Sequence, residues 1–398
     1  MSNTPEIRFS FDKDWQIKSL SSICNDIKTG KLDANAATKS GKYKFFTCSK
    51  EDYKTDSYEF DGDAVIINGN GDLGITKVFS GKFNAYQRTY VLMNFNEDYK
   101  YIGHTIPYYL PNKIKKEAIG GAMPYIKIDT LNELMLGIPE IPEQKQIASF
   151  LSNVDSLIDS KKKELEKTKQ YKATMLYKMF PQDGKLVPEI RFKDFDGDWN
   201  CSMFDKSFIK LNNNSFSRDQ LNYRTGEFKN IHYGDILINF SFIVKYENKI
   251  VPFLNNNQKV RVKETDYLKT GDIVFADTAE DTTAGKMVEI LNPNNGKLIS
   301  GMHTYACRPL LKFETGYLGI YMNTIQFHSQ LLPYMQGTKV TSFNYDYLGR
   351  TKVKYPKFEE QKRIINFFTN LDSIITNQEK EIEILEHMKA TLLSKMFA

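Results

Sequence analysis

Residues 143–147 read Glu143-Gln144-Lys145-Gln146-Ile147, and 217 positions later Glu360-Gln361-Lys362-Arg363-Ile364 repeats them with one change. The register persists through Asp155-Ser156 against Asp372-Ser373 and Lys172-Ala173-Thr174 against Lys389-Ala390-Thr391. It still holds at Lys178-Met179-Phe180 against Lys395-Met396-Phe397. Upstream, Asp129 pairs with Asp346, Leu131 with Leu348 and Pro139 with Pro356. A match this long is an internal duplication, and a duplication dictates how everything around it is read.

A second frame repeats at a different spacing. Pro5-Glu6-Ile7-Arg8-Phe9 returns as Pro188-Glu189-Ile190-Arg191-Phe192, 183 positions on. Each copy then reaches Asp-Trp, at Asp14-Trp15 and Asp198-Trp199, so the chain's two tryptophans are one repeated position. Between the frames the halves diverge, and the second is 34 residues longer. Weak echoes persist there: Tyr58 to Asp63 against Tyr267 to Asp272, and Thr89-Tyr90 against Thr304-Tyr305. The plan is a frame, a variable body and a helix, written twice. It divides into a first body over 1–138, a helix region over 139–182, a second body over 183–355 and a last helix region over 356–398.

Both helix regions carry apolar residues at alternating steps of four and three, which is coiled-coil spacing. The first seam is Ile147, Leu151, Val154, Ile158, Leu165, Met175 and Met179. The second is Ile364, Phe368, Leu371, Ile375, Ile382, Leu385, Leu392 and Met396. Lys161, Lys172, Gln378 and Lys389 interrupt the seams. Pro142 suits a first helical turn, and Pro181 ends the first helix. From Glu143 to Phe180 such a helix is about 57 Å long at 1.5 Å per residue. Matched seams from one duplication favour pairing of the two helices with each other; two unrelated amphipathic surface helices are the alternative.

The bodies read as α/β, with an irregular sheet in each. Asp63 to Ile67, Arg88 to Met93, Asp235 to Asn239 and Asp272 to Ala276 are short runs suited to strands. Runs rich in Asn and Gly between them suit loops.

Composition excludes several classes. The 398 residues are 41% hydrophobic and 26% charged, which is globular rather than disordered. Cys24, Cys48, Cys201 and Cys307 are far apart, which suits neither a disulfide framework nor a cysteine zinc site and fits a reducing cytoplasm. Ile236 to Val244 is too short to span a bilayer, and the opening residues lack an apolar signal region, so a soluble chain without membrane contact is expected. The net charge of +5 permits a nucleic-acid partner only if the charge is clustered.

Catalytic motifs fail one by one. Gly285-Lys286 is followed by Met287, not the Ser or Thr of a phosphate loop. Gly69-Asn70-Gly71-Asp72-Leu73-Gly74 fits a dinucleotide glycine pattern, but no helix or ribose-binding acid is evident after it, so a turn is expected. Asn292-Pro293-Asn294-Asn295 lacks the second proline and the aromatic of an adenine-methyltransferase segment. His104, His232, His303, His328 and His387 show no metal-ligand spacing and build no nucleophile–base set. No catalytic residue and no metal site is predicted.

Recognition chemistry remains. Lys and Arg neutralise phosphate, while Arg, Asn and Gln also pair with base edges. Lys82, Asn84, Tyr86, Gln87 and Arg88 form one candidate DNA-binding stretch; for Arg88 a structural salt bridge is the alternative. Lys259, Arg261 and Lys263, alternating on one expected strand face, form another, with a merely solvated face as the alternative. Lys339, after Gly337-Thr338, is placed for a phosphate contact.

The order of frames resembles the specificity subunits of type I restriction–modification systems. The residues that carry the likeness are Pro139, Glu143, Gln144, Lys145 and Ile147 and their copies Pro356, Glu360, Gln361, Lys362 and Ile364. The resemblance implies two target-recognition domains, each reading one half of an asymmetric bipartite double-stranded DNA site. It implies that the two helices form an antiparallel coiled coil that sets the half-site spacing and docks two methyltransferase subunits. The chain would be noncatalytic and hold no cofactor. Its methyltransferase partners would use S-adenosylmethionine on adenine, and restriction/translocase subunits would use ATP and Mg²⁺. A coiled-coil scaffold with two protein-binding bodies is the alternative reading.

Overall fold

The computed structural model describes residues 5–51, 53–117, 125–256, 258–337 and 339–397. It divides into two compact units, one of Met1–Glu164 with Gln378–Ala398, the other of Leu165–Asn377. The division cuts both long helices, Ile141–Lys178 and Phe358–Phe397, so each helix contributes to both units.

The first unit holds β1 (Gln16–Ser19), β2 (Cys24–Thr29), β3 (Tyr43–Phe46), β4 (Tyr53–Thr55), β5 (Phe60–Asn68), β6 (Thr76–Ala85), β7 (Thr89–Phe95) and β8 (Met135–Ile138). A six-stranded sheet runs β2-β7-β5-β6-β3-β4. All its pairs are antiparallel except β3 with β6. Strand β5 alternates as the pleat requires. Val65 and Ile67 pack under the helix Tyr99–Glu117, against Tyr101, Ile102 and Ile106, while Ala64 and Ile66 join Phe46, Phe60 and Phe83 in a separate cluster. Strand β1 pairs with β8 and so ties the first frame to the chain just before Pro139.

The second unit holds β9 (Asn200–Met203), β10 (Phe208–Leu211), β11 (Leu221–Asn222), β12 (Lys229–Ile231), β13 (Ile243–Lys245), β14 (Phe253–Leu254), β15 (Ile273–Ala276), β16 (Thr278–Ala279), β17 (Met287–Leu291), β18 (Leu298–Ser300), β19 (Thr304–Pro309), β20 (Thr341–Ser342) and β21 (Lys352–Tyr355). Its main sheet runs β10-β19-β15-β17-β13, again antiparallel but for the parallel pair β13 with β17. That is the order β2-β7-β5-β6-β3 over again. Strand β9 pairs with β21 as β1 does with β8. The sequence echoes Thr89-Tyr90 and Thr304-Tyr305 open corresponding strands, β7 and β19. The longer second body also carries a four-stranded sheet, β11-β14-β12-β18, with no counterpart among the described residues of the first.

The frames make the same contacts in each unit. Arg8 donates from Nε and Nη2 to Glu143 at 2.9 and 2.7 Å, and from Nη2 to the Lys13 carbonyl. Arg191 donates to Glu360 at 2.8 and 2.7 Å and to the Gly197 carbonyl. The amide of Gln144 donates to the Pro139 carbonyl, and that of Gln361 to the Pro356 carbonyl. These residues are repeated because each closes one body onto the start of its helix.

Helix pairing follows the seams. In the first unit Ile147, Ala148 and Leu151 share a core with Leu392, Leu393, Met396 and Phe397, so the start of one helix lies against the end of the other. In the second unit Met175, Met179 and Phe180 share a core with Ile364, Phe368 and Leu371. Ile158, Leu165 and Ile382 are also buried, while Val154 and Ile375 are half-buried. The lysines that interrupt the seams reach acids on the facing helix. Lys172 pairs with Asp372, Lys389 with Asp155, and Lys161 with Glu381 at 3.0 Å. The first two pairs are copies of each other with the helices exchanged, as an antiparallel pair of duplicates requires. Leu371→Asp is therefore expected to cost several kcal/mol and Val154→Asp roughly 1 kcal/mol, because only the former buries the charge fully. Urea unfolding of the full chain checks the ranking; equal losses would contradict it.

Two expected strands are not strands. Asp235 to Asn239 lies in and just beyond a short helix, Tyr233–Ile238. The side chain of His232 caps it by accepting from the Gly234 N–H at 3.1 Å. The buried Asp235 carboxylate accepts from Arg218 at 2.8 and 2.6 Å and from Asn239. A Gly-Asp pair opens a helix as readily as it turns into a strand, and here capping decides. Gln258 to Lys263 is irregular backbone without a ladder partner among the described residues. Its alternation failed as a signal because Val260 and Val262 are only half-buried, so no core face holds a pleat.

Candidate nucleic-acid interface

In each unit the loops at one end of the main sheet are tied into a cluster. In the first unit they are the segments around 30–33, 46–50, 69–74 and 86–88. The N–H groups of Gly69 and Asp72 donate to the Arg88 and Cys48 carbonyls at 3.0 and 3.2 Å. Those of Gly30, Tyr86 and Gln87 donate to the carbonyls of Thr89, Phe46 and Leu32. The glycine pattern at 69–74 belongs to this turn. A Cβ on Gly69 would lie 2.4 Å from the Arg88 carbonyl oxygen, and Gly71 and Gly74 have φ of +62° and +77°. The turn leads into strand β6 rather than a helix, so no dinucleotide site is built.

The candidates of the first body separate here. Arg88 is exposed, and its guanidinium has no ionic or hydrogen-bonding partner among the described residues. The Gln87 side chain is exposed and donates to Asp33 at 3.3 Å. Tyr86 is half-buried beside them. Lys82 lies on β6 with its ammonium 4.6 Å from the Tyr58 ring centre, and hydrogen bonding to the Tyr58 side chain raises its pKa. Asn84 is buried and committed to the fold, donating to Ser57 and accepting from the Ala85 N–H at 2.9 Å.

The second unit opens a cavity of about 730 Å³ at the corresponding loops. Lys259, Arg261 and Lys263 line it together, with Asn212 to Phe216, Met302 and His303. The irregular backbone at 258–263 is what lets three successive odd-numbered cations share one concave wall. None of the three has an ionic partner among the described residues. Opposite charge is sparse: Asp266 is held by Asn212 Nδ2 at 2.9 Å. The Asn213 amide donates to the Thr304 carbonyl, the position matching the Gly30 contact with Thr89. Lys339 lies apart from this lining, exposed beside the bridge Gln336↔Ser342; Thr338 falls outside the described residues.

His303 was not distinguishable in the sequence from an isolated histidine. It precedes β19 as Arg88 precedes β7, so the Thr-Tyr echo is the sequence signal that could have found it. Its Nδ1 lies 3.3 Å from Asp277 Oδ1. Burial raises the Asp277 carboxyl, and the histidine draws it back down.

Arginine pairing separates scaffold from free charge. Arg8, Arg191, Arg218, Arg308 and Arg363 face carboxylates. Arg88 and Arg261, both in the loop clusters, do not, and neither do Arg224 and Arg350 outside them, the latter lying over the Tyr347 ring. Unpaired cations on a polar concave wall attract phosphate, and the adjoining amides and imidazole offer hydrogen bonds to base edges. Among the described residues, no group of three or more His, Cys, Asp or Glu side chains is placed to hold a metal ion, and no helix is long and apolar enough to cross a membrane.

Residues 12–170 match the family model described as the type I restriction modification DNA specificity domain. The EcoDI specificity subunit of Escherichia coli is 34% identical over 186 residues, 45% of this chain and 40% of that protein. The MjaVIII specificity subunit of Methanocaldococcus jannaschii is 23% identical over 296 residues, 71% of this chain and 65% of its own length. The matches thus span less than two thirds of either relative. Across the whole chain, the fold is similar to that of the S subunit from M. genitalium, with a TM-score of 0.58 at 17% identity and 99% coverage of both chains. A chain from a structure concerned with assembly of the type I restriction–modification system gives 0.59 at 14% identity, covering 98% of this chain and 99% of that one.

Proposed function

We propose that this chain is the noncatalytic sequence-reading subunit of a type I restriction–modification complex, each unit reading one half of an asymmetric bipartite double-stranded DNA site. One observation carries the reading: two units share a sheet order and a frame, yet end in unlike loop clusters with unpaired cations. A shared scaffold with different edges suits two different half-sites. The paired helices fix the half-site separation and dock two methyltransferase subunits, which bring S-adenosylmethionine to adenine. Restriction/translocase subunits with ATP and Mg²⁺ complete the complex, in the cytoplasm. Methylome sequencing of cells with and without the intact chain tests this. A bipartite adenine-methylated motif that depends on the chain supports it, and absence of any such motif overturns it. Exchanging residues 1–138 for another specificity subunit's first body should change one half of the motif only.

Salt dependence tests the cavity. Replacing Lys259, Arg261 and Lys263 together by Ala is expected to weaken DNA binding. It should also reduce the slope of log affinity against log salt by about 0.9 for each phosphate no longer neutralised. An unchanged slope would remove these cations from the interface. Binding that ignores sequence and persists at high salt would favour the protein-scaffold reading.

A further inference from the structure

Resting on that DNA reading, we propose that His303 is a specificity-determining residue of the second unit, its Nε2 accepting a hydrogen bond from the exocyclic amino group of an adenine or cytosine in the major groove. Four observations converge on it. His303 lines the cavity that gathers Lys259, Arg261 and Lys263, with about half its side chain exposed. Its backbone is left-handed, with φ of +54°; the other non-glycine residues with positive φ among those described are Asn94 and Asn295. That region is uncommon outside glycine, and the surroundings hold His303 in it. The support is visible. Asp277 Oδ1 sits 3.3 Å from Nδ1, the Tyr233 ring stands edge-on at 5.3 Å, and the His303 carbonyl accepts from the Asp277 N–H at 3.1 Å. Finally, His303 holds the turn before β19 that Arg88 holds before β7.

The chemistry depends on which nitrogen is engaged. A carboxylate facing Nδ1 keeps the proton there, so Nε2 presents a lone pair. Nε2 has no partner among the described residues. In the major groove the amino groups of adenine N6 and cytosine N4 are the donors that match an acceptor. The surrounding cations hold phosphate, which carries no sequence information, so an acceptor placed among them is a group that discriminates. Arg88, a donor at the matching turn, suits guanine O6 and N7 instead. One position of the shared scaffold thus reads opposite hydrogen-bonding patterns in the two units.

The test selects random double-stranded DNA against the full chain, as wild type and as His303→Gly, which is at ease in the left-handed region and carries no acceptor. The wild type is expected to enrich a bipartite motif. The variant should relax one position of one half-site, with a ten- to hundred-fold loss of preference there and every other position kept. At that position, purine in place of adenine, or pyrimidin-2-one in place of cytosine, removes only the amino group. It should weaken wild-type binding by a similar factor and leave His303→Gly binding unchanged. Asp277→Asn, which frees the ring without removing it, should broaden the same position. Identical motifs from wild type and His303→Gly overturn the proposal while leaving the DNA reading intact. No motif from the wild type overturns the DNA reading itself, and this proposal with it.

Discussion

Phe180→Ala is expected to lower the stability of the chain by about 4 kcal/mol, the usual cost of emptying a fully enclosed aromatic site. Phe180 has no solvent exposure although it lies beyond the end of its helix. Its ring meets Tyr321 at 5.6 Å, Trp199 at 6.0 Å and Phe368 at 6.1 Å between centres. The neighbours are large and packed against one another, so they cannot collapse into the space. The same architecture recurs at Phe397, which meets Tyr101 at 5.8 Å and Trp15 at 6.3 Å. Each Lys-Met-Phe ending thus plugs the core under a repeated tryptophan. Phe397→Ala should cost a similar amount, and Phe180→Leu much less because most of the volume stays. Chemical denaturation of the full chain reads the loss. A change below about 1 kcal/mol for Phe180→Ala would show that the ring is not enclosed as described.

Arg8→Ala is expected to cost about 3 kcal/mol, more than the loss of an ordinary surface pair. The reason is the partner. Glu143 is 1% exposed, so removing Arg8 leaves a carboxylate with neither water nor a counter-charge. The double variant Arg8→Met with Glu143→Leu should recover most of the loss, because it removes the stranded charge as well as the pair. Arg191→Ala, which strands Glu360 at 2% exposure, should behave the same way. Denaturant midpoints of the single and double variants check this. If Arg8→Ala and the double variant lose equally, the cost is packing rather than an uncompensated charge.

Much of this was legible beforehand because duplication converts a single sequence into two readings of one scaffold. The seam residues, the repeated tryptophans and the Arg–Glu frames all recur at fixed shifts. Their chemistry, periodic apolar burial and a paired buried charge, is local enough to be seen in a line of text. The sheets were less legible. The order of five strands is identical in the two units, yet apart from the Gly-Asp and Thr-Tyr turns their residues differ, since a strand needs only alternation and not identity. Two strand expectations failed for that reason. At Asp235 a capping histidine and an ion pair with Arg218 turned the segment helical, and at Gln258 the valines had no core to face.

The site was split in the same way. Arg88, Lys259, Arg261 and Lys263 were identifiable as candidates because basic residues that alternate or stand among polar ones are visible in sequence. Whether an amide such as Asn84 is spent inside the sheet depends on neighbours far along the chain. So does the gathering of 212–216, 258–263 and 302–303 around one cavity. Sequence alone determined that the chain is a doubled frame with paired helices, because periodicity and repetition are properties of the string. Only the tertiary structure decided which cations share a wall and which histidine is held among them, because long-range strand pairing, not spacing, sets that proximity.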